Sequence, residues 1–453
     1  MPPAPAASCR CFTRQNEANG KDTMKKKNLF LLGLGALVGV VLVGLFLGGT
    51  TDGPDEGTDA VRSRPLIAAV KPHLASAKSA PVDKPRPQAT DDAEPPESEQ
   101  EPVFEVGGRT FRSLAEAVEA AEPGETITLN GDAYVRKPVV VRKSLRFNLN
   151  GYRLTAKNTS VPRIRRQRGD FGRGGHAISV EVGNRVVVEN GFIDVVSNGG
   201  KNGFTGAVEQ VQDLSQPTSA EPDPVAEAQP PEIAQVDEHP EDAQYDVVVR
   251  DVEVTSDARW SSAFLNSDGK MLIDGCTVQS DGGVGNYTIG ADSRTTIRDC
   301  DFETVGEAGE GQWWNSALAV AFDGTTTVES GSYVSRMAEG AEGTAYGTYV
   351  FSSGGVIDVK GGDFVADNVV QTDKDMTNYG ETFGVSEVVI RDGAFSGKMD
   401  KTVVGENAGE MAGTSAYGGV YDNRPTPEQV PEGKVVVDNG DGIYSVADAT
   451  AGN

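Results

Sequence analysis

The chain has 453 residues, 55 of them Gly, and only 38% of it is hydrophobic. That composition suits short strands and many turns better than long helices. Its formal net charge of −26 repels phosphate backbones and anionic lipid headgroups, which argues against nucleic acid as a partner.

Residues 1–27 read as a cytoplasmic tail. Met24-Lys25-Lys26-Lys27 resembles an ordinary secretory start, so residues 1–23 read as the product of an upstream start codon. The uncharged apolar run Leu29–Leu47 follows, within a segment 28–49. At ~1.5 Å per residue it is roughly 28 Å long, close to the ~30 Å hydrocarbon core of a bilayer. Lysines precede it and Asp52, Asp55 and Glu56 follow it. The expectation is a single-pass signal anchor in the cell membrane, with the N-terminus cytoplasmic and the rest of the chain extracellular. A cleaved signal peptide is the competing reading, but the run is long for one and Gly48-Gly49-Thr50-Thr51 is a poor cleavage site. Gly35-x-x-x-Gly39 and Gly44-x-x-x-Gly48 would let two such helices approach closely, although Gly is common in membrane helices.

Residues 50–102 are rich in Pro, Ala, Ser and acids, with no helical or strand period. They read as a disordered linker holding the next domain off the membrane.

From Val103 the pattern changes. Phe104 to Phe111 reads as a hairpin around Gly107-Gly108, and Ser113-Leu114-Ala115-Glu116 as a helix capping box. Leu114, Ala117, Val118 and Ala121 form one apolar helical face, ended by Pro123-Gly124. Thr126-Ile127-Thr128-Leu129 is a strand. A short unit then recurs: β-branched residues, a polar residue, a small turn residue, an apolar residue. Val188-Glu189-Asn190-Gly191-Phe192-Ile193, Ile297-Arg298-Asp299-Cys300-Asp301-Phe302 and Ile390-Arg391-Asp392-Gly393-Ala394-Phe395 are three copies. From Val254 the last apolar position advances by 24, 24, 31, 31 and 31 residues. Repeats of that length with strand alternation predict stacked coils sharing one core. A second strand precedes the first in each coil, as in Thr348-Tyr349-Val350-Phe351.

The cap helix with Gly124-Glu125-Thr126-Ile127, together with the repeat, resembles the pectate-lyase-like superfamily over roughly residues 103–446. The resemblance implies an all-β, right-handed parallel β-helix with a short N-terminal cap helix. The stretch Gly418 to Val446 is similar to the terminal unit of Gram-positive surface β-helix proteins, notably in Lys434 to Val446, which reads as a hairpin turning at Asn439-Gly440-Asp441-Gly442. Residues 157–176 and 204–244 read as insertions and 447–453 as a tail.

Enzymes of this superfamily carry carboxylate sets that this chain does not reproduce. The nearest matches, Asn266-Ser267-Asp268 and Gly175-His176-Ala177, come in the wrong order and lack an Arg-Ile-Lys. Asp299 and Asp301 would share one side of a strand, as paired carboxylates do in glycosidases, but solvated acids are commoner in so acidic a chain. No catalytic residue, metal ligand or cofactor is assigned. Cys276 and Cys300 occupy the same slot of adjacent coils, either as a disulfide or, the preferred reading, as a ladder of free buried thiols.

Two groups suit ligands. Arg163, Arg165, Arg166, Arg168 and Arg173 fall within eleven residues, and their forks fit phosphate or carboxylate. The ten acids of residues 204–244 are the alternative partner. Trp260, Trp313 and Trp314 could stack on sugar rings, or pack within the fold. The expected function is a surface adhesin or a scaffold binding cell-envelope or host glycan without catalysis. The alternatives are a surface polysaccharide lyase or glycoside hydrolase, and an envelope scaffold for another protein.

Overall fold

The computed structural model describes residues 101–157, 175–196, 205–211, 239–257, 262–306, 314–351, 354–374, 386–403 and 412–449. The apolar run Leu29–Leu47 lies outside them, as does the linker up to residue 100. Among the described residues no helix is long and apolar enough to cross a membrane.

The described chain is all-β, a solenoid of stacked parallel strands with the architecture of a parallel β-helix. Each coil visits three sheets in a fixed order. Sheet A runs from Val139–Val141 through Gly175–Glu181, Thr205–Val211, Ser262–Asn266, Val284–Ile289 and Trp314–Ala321 to Thr344–Val350. It continues into the second halves of Asp363–Lys374 and Ala394–Val403. Sheet B stacks Thr126–Leu129, Leu145–Asn148 and their successors up to Ala412–Ala416. Sheet C stacks Ala133–Val135, Arg153–Lys157 and their successors up to Val420–Tyr421. Two strands, Val186–Val196 and Val247–Ser256, turn the corner from B to C without interruption.

That corner explains the recurring sequence unit. It bends on one residue in the left-handed region: Asn190 (φ 61°), Asp251 (φ 51°), Gly275 (φ 61°) and Asp299 (φ 53°). Asn, Asp and Gly tolerate that conformation best. Asp299 is therefore a corner residue rather than a strand residue. Its carboxylate accepts from the Ser330 hydroxyl at 2.7 Å, and it does not pair with Asp301 across one strand face.

The apolar residue at the end of each unit points into the solenoid. Val254, Val278, Phe302, Tyr333, Phe364, Phe395 and Tyr421 lie in one register, coil upon coil. From Phe302 on they form an aromatic column: edge-on between Phe302 and Tyr333 at 5.6 Å, then stacked at 4.8, 5.0 and 5.2 Å. Burying each such ring removes about 1.5–3 kcal/mol of unfavourable exposure. A second interior ladder is polar. Asn266 donates to the Arg294 carbonyl at 3.0 Å, and Thr288 is 2.8 Å from both Thr295 and Thr326.

Both ends are covered. At the N-terminus the hairpin of Phe104–Val106 and Arg109–Phe111 pairs antiparallel with Thr126–Leu129. The helix Leu114–Ala120 is capped by Ser113, whose hydroxyl accepts from the Glu116 N–H at 3.2 Å. Its Leu114, Ala117 and Val118 are buried, with Ala121 just beyond. At the C-terminus Tyr444–Asp448 lies antiparallel on Val420–Tyr421 and carries Lys434–Asp438 as its other neighbour.

Candidate functional site

The spans expected as insertions are shorter in the structure. Lys157 closes a sheet C strand, while Gly175 and His176 open a sheet A strand, so the connecting segment is 158–174. Thr205–Val211 is a full sheet A strand and Pro240–Gln244 a 3₁₀ turn, which leaves 212–238. Gly206-Ala207-Val208-Glu209-Gln210-Val211 repeats the pattern of His176-Ala177-Ile178-Ser179-Val180-Glu181 one coil later, and that likeness was the available signal. Beyond Val446 the strand continues to Asp448.

Arg163, Arg165, Arg166, Arg168, Arg173, Trp260 and Trp313 lie outside the described residues. Trp314 begins a sheet A strand. Chain connectivity gives one relation between the others: the arginines, Trp260 and Trp313 fall where a sheet C strand passes to the next sheet A strand, on every second passage. The arginines lie between Arg153–Lys157 and Gly175–Glu181. Trp260 lies between Val247–Ser256 and Ser262–Asn266, and Trp313 between Cys300–Gly306 and Trp314–Ala321.

The outer face of sheet A, which this edge borders, has two parts. Its C-terminal part is apolar and aromatic: Leu265, Tyr287 and Ala319 stand in register with Tyr349, flanked by Ile289, Ala321 and Phe351. Tyr349 and Phe351 rings are 4.3 Å apart, and Tyr287 is 5.7 Å from Phe351. Its N-terminal part is polar and fully buried. Glu209 accepts from the Ser179 hydroxyl, and its other oxygen is 3.1 Å from His176 Nδ1. That nitrogen lies close to the carboxylate but off a hydrogen-bond line. His176 Nε2 lies 3.2 Å from the Ser262 carbonyl. Gly206 makes the approach feasible, since a Cβ there would sit 2.0 Å from that carbonyl and 2.3 Å from the imidazole.

This cluster is not a nucleophilic relay. The Ser179 hydroxyl is directed to Glu209 and not to His176, so the three side chains do not line up in serine–histidine–carboxylate order. His176 is a buried strand residue rather than a loop or strand-edge residue. Asn266 faces the interior, and Asp268 sits in the following turn with its N–H donating to Asn266. Glu209, Ser179 and Tyr349 were not singled out in the sequence. Cys276 and Cys300 are free and buried, one directly above the other. Burial first, then the neighbouring Cys276, pushes the Cys300 thiol far up, so it stays a neutral thiol. Among the described residues no group of three His, Cys, Asp or Glu could hold a metal.

A second charged cluster, on the outside of sheet B, is a clamp. The 3₁₀ turn Pro240–Gln244 brings buried Asp242 onto Arg250 and Arg298. Asp274 lies between the same arginines, 3.0 Å from Arg250 Nε and 2.9 Å from Arg298. Burial alone would raise the Asp274 carboxyl, but hydrogen bonds from Arg298 and Arg250 outweigh it and hold it below its ordinary value. The hydrogen bond to Asp274 raises Arg298, against burial. Tyr245, just past the turn, packs on the outward apolar cluster of Val187, Val248 and Leu272. With each charge directed at the next, the cluster fastens a turn over sheet B.

Compared with known proteins, the chain matches no family model, no curated protein and no solved structure.

Proposed function

We propose that this protein is a membrane-anchored, extracellular β-helix of the right-handed, pectate-lyase-like kind, which binds a cell-envelope or host glycan without transforming it. One observation carries the reading. The arginine run, Trp260 and Trp313 fall on alternate passages from sheet C to sheet A, with Trp314 opening the strand that follows, and these passages border an outer face with half-buried Tyr349 and Phe351 beside buried Tyr287. Coils rise by ~4.8 Å each, so alternate passages follow one another every ~10 Å along the solenoid, a row suited to a chain-like ligand. Aromatic faces suit sugar rings, and arginine forks suit the phosphates or carboxylates of acidic envelope polymers. The anchor reading of Leu29–Leu47 places this row outside the cell.

The test is an array of glycans and cell-wall polymers probed with the full chain in detergent, followed by product analysis of each hit. Binding without turnover is expected. It should be lost on Trp313→Ala with Trp314→Ala, or on neutralising Arg163, Arg165, Arg166, Arg168 and Arg173. New reducing ends or unsaturated sugars would replace this reading with a lyase or hydrolase, and no binding at all would leave a scaffold for another protein.

A further inference from the structure

Among the described residues the terminal hairpin leaves one strand edge unpaired. Lys434–Asp438 pairs with Tyr444–Asp448 on one side, and among the described residues no strand pairs with its other side. The hydrogen-bond alternation shows what that edge offers. Asn439 donates to the Ile443 carbonyl and Ala449 to the Gly433 carbonyl, each at 2.9 Å. Odd-numbered residues from 433 to 439 therefore turn their backbone groups toward the partner strand. Lys434, Val436 and Asp438 turn theirs outward. Only the Lys434 N–H is used locally, donating to the Pro431 carbonyl at 3.1 Å.

The side chains on this edge are unusual for an unpaired strand. Val435 and Val437 are 42% and 39% exposed, side by side on the outer face. Exposed edges are usually blunted by charge, and Lys434 and Asp438 supply one charge of each sign at the two ends. Those charges are arranged so that the strand complements itself. In an antiparallel pairing of two copies centred on Val436, Lys434 stands opposite the partner's Asp438, and Val435 opposite the partner's Val437. Val436 N–H and C=O bond the same groups of the other Val436, and each Asp438 N–H meets a Lys434 carbonyl. The pair Val435–Val437 falls at a non-hydrogen-bonded position, where side chains approach most closely.

We propose that Lys434–Asp438 is a homodimer interface, in which two copies of this chain join their C-terminal hairpins antiparallel about a two-fold axis through Val436. Such an interface is isologous and closes on itself, so it yields a dimer and not a filament. It lies at the end of the solenoid, away from the outer face of sheet A. Two ligand surfaces would then act on one polymer with added avidity.

The test is sedimentation equilibrium of the full chain in detergent, with circular dichroism to confirm that each variant folds. The wild type is expected to dimerise. Lys434→Asp and Asp438→Lys each set like charges opposite one another at two symmetric positions, and each should weaken dimerisation about tenfold. The double variant restores opposite charges and should restore the dimer. Loss of the ion pair between Lys434 and Asp448, 2.6 Å apart within one copy, would not be rescued in this way. Val436→Cys should give a 436–436 disulfide on mild oxidation, because residues facing each other across a hydrogen-bonded pair lie ~5.5 Å apart. A monomer at every concentration overturns the proposal, as does a double variant that stays weak. A dimer untouched by Lys434→Asp and lacking the 436–436 cross-link also overturns it, and points to association through the apolar N-terminal run.

Discussion

Replacing Phe364 by Ala tests whether the aromatic column is a principal source of stability. Phe364 is fully buried and stacked on both sides, 4.8 Å from Tyr333 and 5.0 Å from Phe395. A Phe→Ala change in a core costs about 3–5 kcal/mol through lost transfer energy and the cavity left behind. With two stacked neighbours held in register by the coils above and below, the site has little freedom to collapse. The expected loss is therefore at the upper end, about 4–5 kcal/mol. Phe364→Leu keeps most of the volume and removes the stacking alone, so it should cost about 1–2 kcal/mol. Denaturant unfolding gives both numbers. Because each coil touches only its neighbours, amide exchange should quicken in the coils around 344–403 and not in the strands 126–157. A double-mutant cycle of Phe364→Leu with Phe395→Leu should show coupling of about 0.5–1.5 kcal/mol, and Phe364→Leu with Phe147→Leu none. A Phe364→Ala loss below about 1 kcal/mol, or equal losses for Ala and Leu, would refute the column as a packed unit.

Asp274, held below the ordinary carboxylate pKa of 3.8 by its arginines, stabilises the fold fully above that value. The contribution should fade as pH falls from there through its lower folded value, so Asp274→Asn should flatten the acid limb of a stability–pH profile. An unchanged acid limb would remove the clamp from the account. Cys276 and Cys300, both buried, should resist maleimide in the folded chain and react once it is unfolded. Fast labelling of either in the folded state would place them at the surface.

Much of the fold was legible because a solenoid repeats its instructions. The B-to-C corner needs Asn, Asp or Gly once per coil and an inward apolar residue shortly after it, and this pair sets the visible spacing from Val254 to Phe395. Sheet A was harder to read. Gly175–Glu181 and Thr205–Val211 are buried on both faces, so they lack the inside–outside alternation that marks a half-buried strand. Thr205–Val211 also adjoins an acidic, Pro-rich span, and was read as part of it. The His176–Glu209 contact was invisible for a related reason. It joins residues 33 apart that meet only because one coil lies on the next. Apart from Trp314, which opens a strand, the residues singled out for ligands are aromatic and basic ones on the connecting passages, where the repeat places no demand and the sequence is free to carry chemistry.

The slot that holds Cys276 and Cys300 shows how closely the coils constrain one another. In register with them, later coils have Gly331, Gly362, Gly393 and Gly419. The change to Gly coincides with the start of the stacked part of the column, and the geometry gives the cause. A Cβ on Gly331 would lie 2.2 Å from the Cys300 carbonyl below and 2.9 Å from the Tyr333 hydroxyl, one on Gly362 3.1 Å from the Gly331 carbonyl and 3.2 Å from the Tyr333 ring, and one on Gly419 2.9 Å from the Tyr421 hydroxyl. Each aromatic residue folds back over its own corner, and two of them fasten there. Tyr333 donates to the Ser330 carbonyl at 2.7 Å and Tyr421 to the Gly418 carbonyl at 2.5 Å. These corners also open to wider backbone angles, φ 95–124°, that glycine adopts readily and side chains rarely do. Where the column is still Val278, or the tilted Phe302, that room is free and a thiol fills it. The two cysteines are thus the small, apolar occupants of a space that rings and glycines divide between them further along the solenoid, which accounts for their burial without assigning them any chemistry.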